Sequence, residues 1–231
     1  MNAPLDVERR GGVALVTLNR PEKRNALSLE LRELFAHALG DLAADEELSC
    51  VVITGAGSAF CSGMDTGEFG GDHAQRERIV ELSVAFFRAI AQFPKPAIAA
   101  VNGPAIAGGF ALALHCDVRI ASEDARVGFA EPPGIPPSYA AARAALPAAL
   151  ARDLCLTGRV VQSEEAAGLG IVSEVVPPEA LTPRVAEITD RIAASPVPAL
   201  ATKRRILLER ERYAPLFAEE ERMLRDALLG R

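Results

Sequence analysis

Short apolar runs alternate with amphipathic patterns along most of the chain. Period-two alternation or continuous apolar sequence predicts strands at 12–19, 50–54, 97–101 and 118–121. This order of elements predicts an α/β fold, and periodicity alone allows either a spiral core or an open doubly wound sheet. Apolar positions at helical spacing predict three helices in this part of the chain. The first is capped by Ser28, and its apolar face consists of Leu31, Leu34, Phe35, Ala38 and Leu39. The others run from Arg78 to Phe93 and from Gly109 to His115.

The pattern changes after Pro177. Three helical segments, 181–194, 198–210 and 215–229, follow one another with prolines between them and no strand signal. The chain therefore divides into a core at 1–180 and a C-terminal helical segment at 181–231. Within that segment, the basic run at 203–205 is most simply an exposed helix face.

Composition narrows the function classes. The chain has 231 residues, enough for one sizeable core, and its net charge of −6 without a dominant basic face argues against a nucleic-acid partner. No apolar run reaches the ~18 residues of a membrane span, and no secretory signal is visible. We expect a reduced, cytoplasmic protein without a metal site, because no C-x-x-C or metal-ligand spacing connects Cys50, Cys61, Cys116 and Cys155.

Two strand-to-glycine turns carry the clearest chemical signal. The strand at 97–101 leads to Gly108 and Gly109 at a predicted helix start, and the strand at 50–54 leads to a second glycine-rich turn at 55–65. Backbone N–H groups at a helix start are unpaired and lie at the positive end of the dipole. Two such turns, each offering one N–H, are what an oxyanion hole requires. A dinucleotide-binding turn at Gly55 is disfavoured because the third glycine and the following helix are lacking.

Four motifs, spread over residues 13 to 210, carry a family resemblance. They are TLNRPEKRNALS, AFCSGMD, AVNGPAIAGGFALALHCDVRIAS and LTGRVVQSEEAAGLGIVSEVVP. In this order they resemble the crotonase superfamily, the enoyl-CoA hydratases and isomerases. The resemblance implies a spiral of repeated β-β-α units with a C-terminal α-helical oligomerisation segment, a homotrimer or dimer of trimers, and an acyl-CoA thioester as substrate. No separate cofactor is implied, because coenzyme A is part of the substrate.

The resemblance also assigns site residues. It places the two oxyanion N–H groups on Met64 and Gly108, and it places Lys23 and Arg24 in a turn that binds the CoA phosphates. A plain surface charge cluster is an equal interpretation of those two cations. The remaining substrate-binding positions implied by the motifs are Ala26, Ser62, Gly63, Asp65 and Gly109, of which Asp65 can also hydrogen-bond its own turn.

The catalytic carboxylates depart from the hydratase pattern. Hydratases of the family carry a first Glu where this chain has Ala111, whereas the second Glu position is retained as Glu131. A double-bond shift needs one base, so the pattern resembles Δ3-Δ2-enoyl-CoA isomerases more than hydratases. An enoyl-CoA hydratase, a non-catalytic acyl-CoA binder, and other reactions such as decarboxylation or thioester hydrolysis stay open. Glu131 is expected to have a raised pKa beside an apolar pocket, the alternative being a solvated loop carboxylate.

Several other polar residues receive less specific predictions. His73 is expected in a solvated loop and Asp117 in a structural role. Ser138 and Tyr139 replace glycines common in the family and could reshape the acyl pocket, but the sequence assigns them no role. Because the sequence stops at Arg231, earlier than the resemblance implies, a helix that helps close the CoA site is expected to be missing.

Overall fold

The computed structural model describes residues 3–230. Its strands are β1 (Leu5–Arg10), β2 (Val13–Leu18), β3 (Cys50–Gly55), β4 (Ala97–Val101), β5 (Ala105–Ile106), β6 (Val118–Ser122), β7 (Arg126–Gly128), β8 (Val160–Gln162) and β9 (Glu174–Val176). Its α-helices are α1 (Leu29–Ala44), α2 (His73–Ala91), α3 (Gly108–His115), α4 (Tyr139–Ala145), α5 (Ala148–Thr157), α6 (Ser163–Gly168), α7 (Leu181–Ala194), α8 (Pro196–Arg210) and α9 (Ala214–Leu229).

A six-stranded sheet in the order β1-β2-β3-β4-β6-β9 forms the centre of the fold, and all its pairs except β1–β2 are parallel. Both faces of the sheet are covered. On β3, Val51 and Ile53 belong to the main core, whereas Cys50 and Val52 pack with α7 on the other face. Burial on both faces explains why the central strands are continuous apolar runs in the sequence.

A second sheet, in the order β5-β7-β8, gives the fold its repeat. Strand β4 is followed by β5 and α3, and β6 is followed by β7 and α4. The segment after β3 follows the same plan, because Cys61 forms a parallel bridge with Ala105 of β5 before α2 begins. The predicted spiral of β-β-α units is therefore confirmed, and the doubly wound alternative is excluded.

The differences from prediction include short elements that were not predicted, namely β5, β8, β9 and α4 to α6, and several exposed positions. Strand β1 was not predicted, because only Leu5 of its six residues is buried and its sequence carries no apolar period. Helix α2 begins at His73, five residues before the predicted start, because Asp72 caps it by accepting a hydrogen bond from the Gln75 N–H at 2.9 Å. Ser28 caps α1 as predicted, but Leu34 is 37% exposed and does not belong to the buried face.

The C-terminal helices pack directly on the core. Leu181 and Val185 of α7 are buried against the central sheet, and α9 lies against α2 and α4. Lys203 of α8 corrects the prediction of an exposed basic face: it is buried and bonded to Asp117, whereas Arg204 and Arg205 are exposed. Among residues 3–230, no helix has the length and apolar character needed to cross a membrane.

Candidate active site

The ends of β3 and β4 bring the two glycine turns together. The strands are parallel and adjacent, so the loops that follow them leave the same edge of the sheet. Asn102, just after β4, holds the loop that follows β3. Its Oδ1 accepts a hydrogen bond from the Gly55 N–H at 3.1 Å, and its Nδ2 donates to the Gly57 carbonyl at 3.0 Å. The positions of the two turns are therefore coupled.

The turns touch at Gly63 and Gly108. A Cβ atom on Gly63, which has a φ of +91°, would lie 2.9 Å from the Ala107 Cβ and 3.2 Å from the Gly108 nitrogen. A side chain at position 63 would thus push the two turns apart. The close approach places Met64, the next residue in the chain, beside the start of α3.

The two amides assigned by the resemblance are both free. The Leu27 N–H donates to Gly63 O and the Asp65 N–H to Leu27 O, which leaves the intervening Met64 N–H outside this ladder. Gly108 is the first residue of α3, where an N–H has no partner within the helix. Neither the Met64 nor the Gly108 N–H donates a hydrogen bond to an acceptor in residues 3–230.

Backbone strain precedes α3. Ala107 has a φ of 55° and a ψ of −126°, a conformation that L residues rarely adopt, and its N–H donates to the Gly128 carbonyl at 2.8 Å. Such strain costs about 1–3 kcal/mol and persists only where the surroundings impose it. The bond to β7 thus helps fix the orientation of the next amide, that of Gly108.

One cavity of about 750 Å³ collects the principal predicted groups. Met64, Gly108, Ala111 and Glu131 all contribute to its wall. The remainder of the lining is largely apolar and includes side chains from α2, the loop before α4, α8 and α9, among them Phe87, Ile135, Leu207, Phe217 and Leu224. Helix α9, which the sequence predicted at 215–229, therefore closes part of the cavity.

Glu131 is the carboxylate suited to proton transfer in this cavity. It follows β7 by three residues. Its side chain makes no hydrogen bond to any residue that the structure describes. Burial raises the pKa of Glu131 to about 8. A carboxyl group with a pKa near neutrality can both accept and return a proton.

A second carboxylate, Glu220 on α9, lines the same cavity and was not predicted. It accepts hydrogen bonds from Ser138 Oγ at 3.1 Å and from the Ala140 N–H, and burial raises its pKa to about 7 despite these bonds. Ser138 thus lies at the cavity wall, while Tyr139 packs against the core. No sequence signal marks Glu220, because only the folding of α9 onto α4 brings it here.

The predicted CoA-binding turn lies next to the Met64 loop. The Ser62 N–H donates to Arg24 O at 3.0 Å, and the Ser62 hydroxyl donates to Lys23 O at 3.3 Å. The side chains of Lys23 and Arg24 are exposed, and Ala26 is buried beneath the turn. Cationic side chains therefore stand near the site but outside the cavity wall.

Asp65 and Gly109, also predicted to bind substrate, make contacts within the protein. Asp65 forms an ion pair with Arg20 at 3.0 Å and accepts a hydrogen bond from the Gly67 N–H at 3.2 Å. A Cβ on Gly109 would overlap the carbonyl of Cys61 and lie 2.8 Å from the Cys61 Cβ. Both residues thus shape the turns, and substrate contact by either stays a prediction.

The other polar residues lie away from the free amides. His73 is exposed at the first position of α2 rather than in a loop, with Nδ1 3.9 Å from Glu77. Asp117 accepts hydrogen bonds from the Ala97 N–H at 2.9 Å, from Lys203 and from Arg210. This network agrees with the structural role predicted for Asp117.

Comparison with known proteins agrees with this geometry. The family model described as enoyl-CoA hydratase/isomerase matches residues 8–223. A putative enoyl-CoA hydratase of Thermus thermophilus is 37% identical over 216 residues, which cover 86% of this chain and 81% of that protein.

Solved structures are also similar over nearly the whole chain. An enoyl-CoA hydratase from Mycobacterium avium subsp. paratuberculosis has a TM-score of 0.87 at 30% identity, covering 99% of this chain and 95% of its own. A monofunctional enoyl-CoA isomerase from M. smegmatis has a TM-score of 0.74 at 35% identity, covering 91% and 95% of the two chains. The chain belongs to the enoyl-CoA hydratase/isomerase family, the crotonase superfamily.

Proposed function

We propose that this enzyme isomerises 3-enoyl-CoA thioesters to 2-enoyl-CoA thioesters, with Glu131 as the only catalytic base. The observation that carries the proposal is that two free amides and one carboxylate without a hydrogen-bond partner line one largely apolar cavity. The amides bind the thioester oxygen, and the carboxylate moves the proton.

The reaction proceeds through an enolate. Glu131 removes a proton from C2 of the acyl group, and negative charge develops on the thioester oxygen. The N–H groups of Met64 and Gly108 stabilise that oxygen, and loss of one such donor typically costs about 3 kcal/mol of barrier. The enolate then collapses, so that the thioester carbonyl re-forms and a double bond forms between C2 and C3. The C3–C4 double bond breaks, and its electron pair takes the proton that Glu131 returns to C4. The Met64 and Gly108 amides and the Glu131 carboxylate are sufficient for this double-bond shift, so we propose that no cofactor other than the CoA of the substrate takes part.

Ala111 is the main argument against hydration. Its methyl group stands on the cavity wall where hydratases of the family have a Glu, so it cannot orient or activate a water molecule. General acid and base groups contribute about 10²–10⁴-fold each, which makes the loss of one significant.

Enoyl-CoA hydration is the second candidate, and Glu220 favours it. This carboxylate lines the same cavity, and similar proteins such as the one from T. thermophilus carry hydratase names. Its two oxygens are however already bonded to Ser138 and Ala140, which stabilises the start of α4. We therefore assign Glu220 a positioning role.

Side-by-side assays test the proposal. Isomerisation of trans-3-hexenoyl-CoA and hydration of trans-2-hexenoyl-CoA are measured with the wild-type protein, Glu131→Gln and Glu123→Gln. Glu123 is an exposed carboxylate after β6 and serves as the matched control. We expect isomerisation to dominate in the wild type, to fall about 10²–10⁴-fold in Glu131→Gln and to stay unchanged in Glu123→Gln.

Other outcomes have defined meanings. Hydration faster than isomerisation would make the protein a hydratase. Binding of both CoA esters without turnover would indicate a non-catalytic binder, or an enzyme for decarboxylation or thioester hydrolysis. Isomerisation that survives in Glu131→Gln would remove the proposed base.

We further propose that Lys23 and Arg24 bind the CoA phosphates and that the protein is a homotrimer or a dimer of trimers. Both cations are exposed beside the Met64 loop. The proposed assembly rests on membership of the crotonase superfamily. Light scattering gives the mass of the assembly, and the Lys23→Ala/Arg24→Ala double variant is expected to raise KM for the CoA ester.

A cytoplasmic location is the remaining part of the proposal. All four cysteines, Cys50, Cys61, Cys116 and Cys155, are free thiols in the structure. Unpaired cysteines are typical of proteins kept in a reducing compartment. Cell fractionation with a cytoplasmic marker tests this location.

A further inference from the structure

A histidine stands in the otherwise apolar face that α3 presents to the cavity. Gly108, Ala111 and His115 all line it, and their spacing puts them on one side of the helix. The helix is wholly buried, and His115 is its last residue. Seven residues at 1.5 Å each place His115 about 10 Å along the helix from the free amide of Gly108.

The imidazole is held by aromatic packing, and its Nε2 atom is unpartnered. The ring of Phe217 stacks on that of His115 at 5.7 Å, and the ring of Phe87 lies tilted at 6.0 Å. His115 is 1% exposed, and among residues 3–230 its Nε2 has no hydrogen-bond partner. A buried polar group without a hydrogen-bond partner is unfavourable, so a bound group that supplies the bond is favoured.

The charges around His115 keep the ring neutral. Burial, together with the nearby cations Arg210 and Lys203, lowers the pKa of His115 to about 3. A neutral imidazole has one donor and one acceptor nitrogen. It can therefore bind an oxygen as hydrogen-bond donor, or a hydroxyl group as acceptor.

We propose that His115 binds a neutral oxygen, a hydroxyl or carbonyl, on the distal part of the acyl chain, so that the preferred substrates are oxygenated medium-chain acyl-CoA thioesters. This inference rests on the proposed function, because it assumes that the thioester lies at Met64 and Gly108. A chain that starts at those amides and runs along α3 passes Ala111 before it reaches His115.

A distal carboxylate fits the site poorly. Arg210 and Lys203 are already bonded to Asp117, at 3.1 and 2.7 Å, and Arg88 of the cavity wall is paired with Glu221 at 3.7 Å. A carboxylate would therefore have to compete with an existing ion pair for each of these cations. A neutral oxygen requires only the hydrogen bond that His115 lacks.

Calorimetric binding of unreactive saturated esters tests the inference independently of turnover. Each hydroxyl-terminated acyl-CoA is paired with a methyl-terminated one of equal length, for example 8-hydroxyoctanoyl-CoA with nonanoyl-CoA, and pairs from six to ten heavy atoms locate the matching length. For each pair, the affinity of the hydroxyl ester is divided by that of the methyl ester, and this ratio is compared between the wild type and His115→Phe. The comparison removes the effect of the lower hydrophobicity of the hydroxyl ester. For one chain length we expect the ratio to be roughly tenfold higher in the wild type.

Three variants separate hydrogen bonding from cavity shape. His115→Phe keeps an aromatic ring in the stack and removes both nitrogens, so it should abolish the hydroxyl preference. His115→Gln retains a donor and an acceptor and should restore part of it. Phe217→Leu reshapes the cavity beside the ring without changing its polarity and should keep the preference.

The results also separate the two proposals. If the hydroxyl-to-methyl affinity ratio is the same in the wild type and in His115→Phe at every chain length, the inference is wrong, and a water molecule satisfies Nε2. This conclusion holds even if isomerisation is observed. A hydroxyl preference without isomerisation would support the inference and overturn the proposed reaction. Failure of all the CoA esters to bind would overturn both.

Discussion

The Nζ atom of Lys203 lies 2.7 Å from Oδ2 of Asp117, and this ion pair joins the C-terminal helices to the loop between α3 and β6. The side chain of Lys203 is 1% exposed and that of Asp117 is 10% exposed. Arg210 adds a second bond to the same carboxylate and donates to the carbonyl of His115 at 3.0 Å. The pair thereby anchors the segment that carries α9 over the cavity.

Removing the ammonium group of Lys203 should be costly. Lys203→Ala leaves the buried Asp117 carboxylate with Arg210 as its only side-chain partner among the described residues. Loss of one charged hydrogen-bond partner should lower the free energy of unfolding by about 1–3 kcal/mol. Arg204→Ala, at the exposed neighbouring position, should change it by less than about 0.5 kcal/mol. Urea unfolding followed by circular dichroism measures both. Similar losses in the two variants would contradict the anchoring role.

The close packing of Gly109 on Cys61 leads to a second prediction. Gly109→Ala forces the start of α3 away from the Cys61 carbonyl, which should cost about 1–3 kcal/mol of stability and lower kcat by displacing the Gly108 amide. Gly40→Ala on α1, where a Cβ meets nothing within 4 Å, should instead stabilise by about 0.5–1 kcal/mol. Thermal unfolding and isomerase assays of both variants check the contrast. An unchanged kcat in Gly109→Ala would show that the amide is not rigidly placed.

The pH dependence of kcat/KM should report the ionisation of Glu131. The base must be ionised, and burial raises its pKa to about 8, so the ionised fraction increases with pH. We expect kcat/KM to rise about tenfold per pH unit below pH 7 and to level off above pH 8. Glu220→Gln is the control, because the pKa of Glu220 is raised to about 7. A rise that disappears in this variant would assign the titration to Glu220.

The same raised pKa predicts a pH-dependent stability difference. Glu131 has a higher pKa in the folded protein than in the unfolded chain, so its contribution is most favourable below pH 4.5 and is lost as the pH rises through about 8. Glu131→Gln removes a carboxyl group whose ionisation in the folded protein lowers the free energy of unfolding. Its Tm should match that of the wild type near pH 5 and exceed it at pH 9. A constant Tm difference across this range would mean that Glu131 is solvated.

The sequence by itself determined the central strands β2, β3, β4 and β6, the glycine turns and the family. Runs such as 50–54 and 97–101 are apolar because both faces of the sheet are buried, which is a local signal that needs no coordinates. The glycine turns are equally local, since Gly63 and Gly109 stand where a side chain would overlap a neighbouring loop. Met64, Gly108 and Glu131 could therefore be named in advance from their motifs.

Only the tertiary structure decided which groups share the cavity. Glu220, Phe217 and Lys203 lie on helices whose sequences resemble ordinary amphipathic surface helices, and their roles depend on how α8 and α9 pack on the core. The pKa of Glu131 and the missing partner of His115 likewise depend on burial by distant segments. Desolvation and hydrogen-bond satisfaction are properties of the assembled environment, which no local pattern of residues encodes.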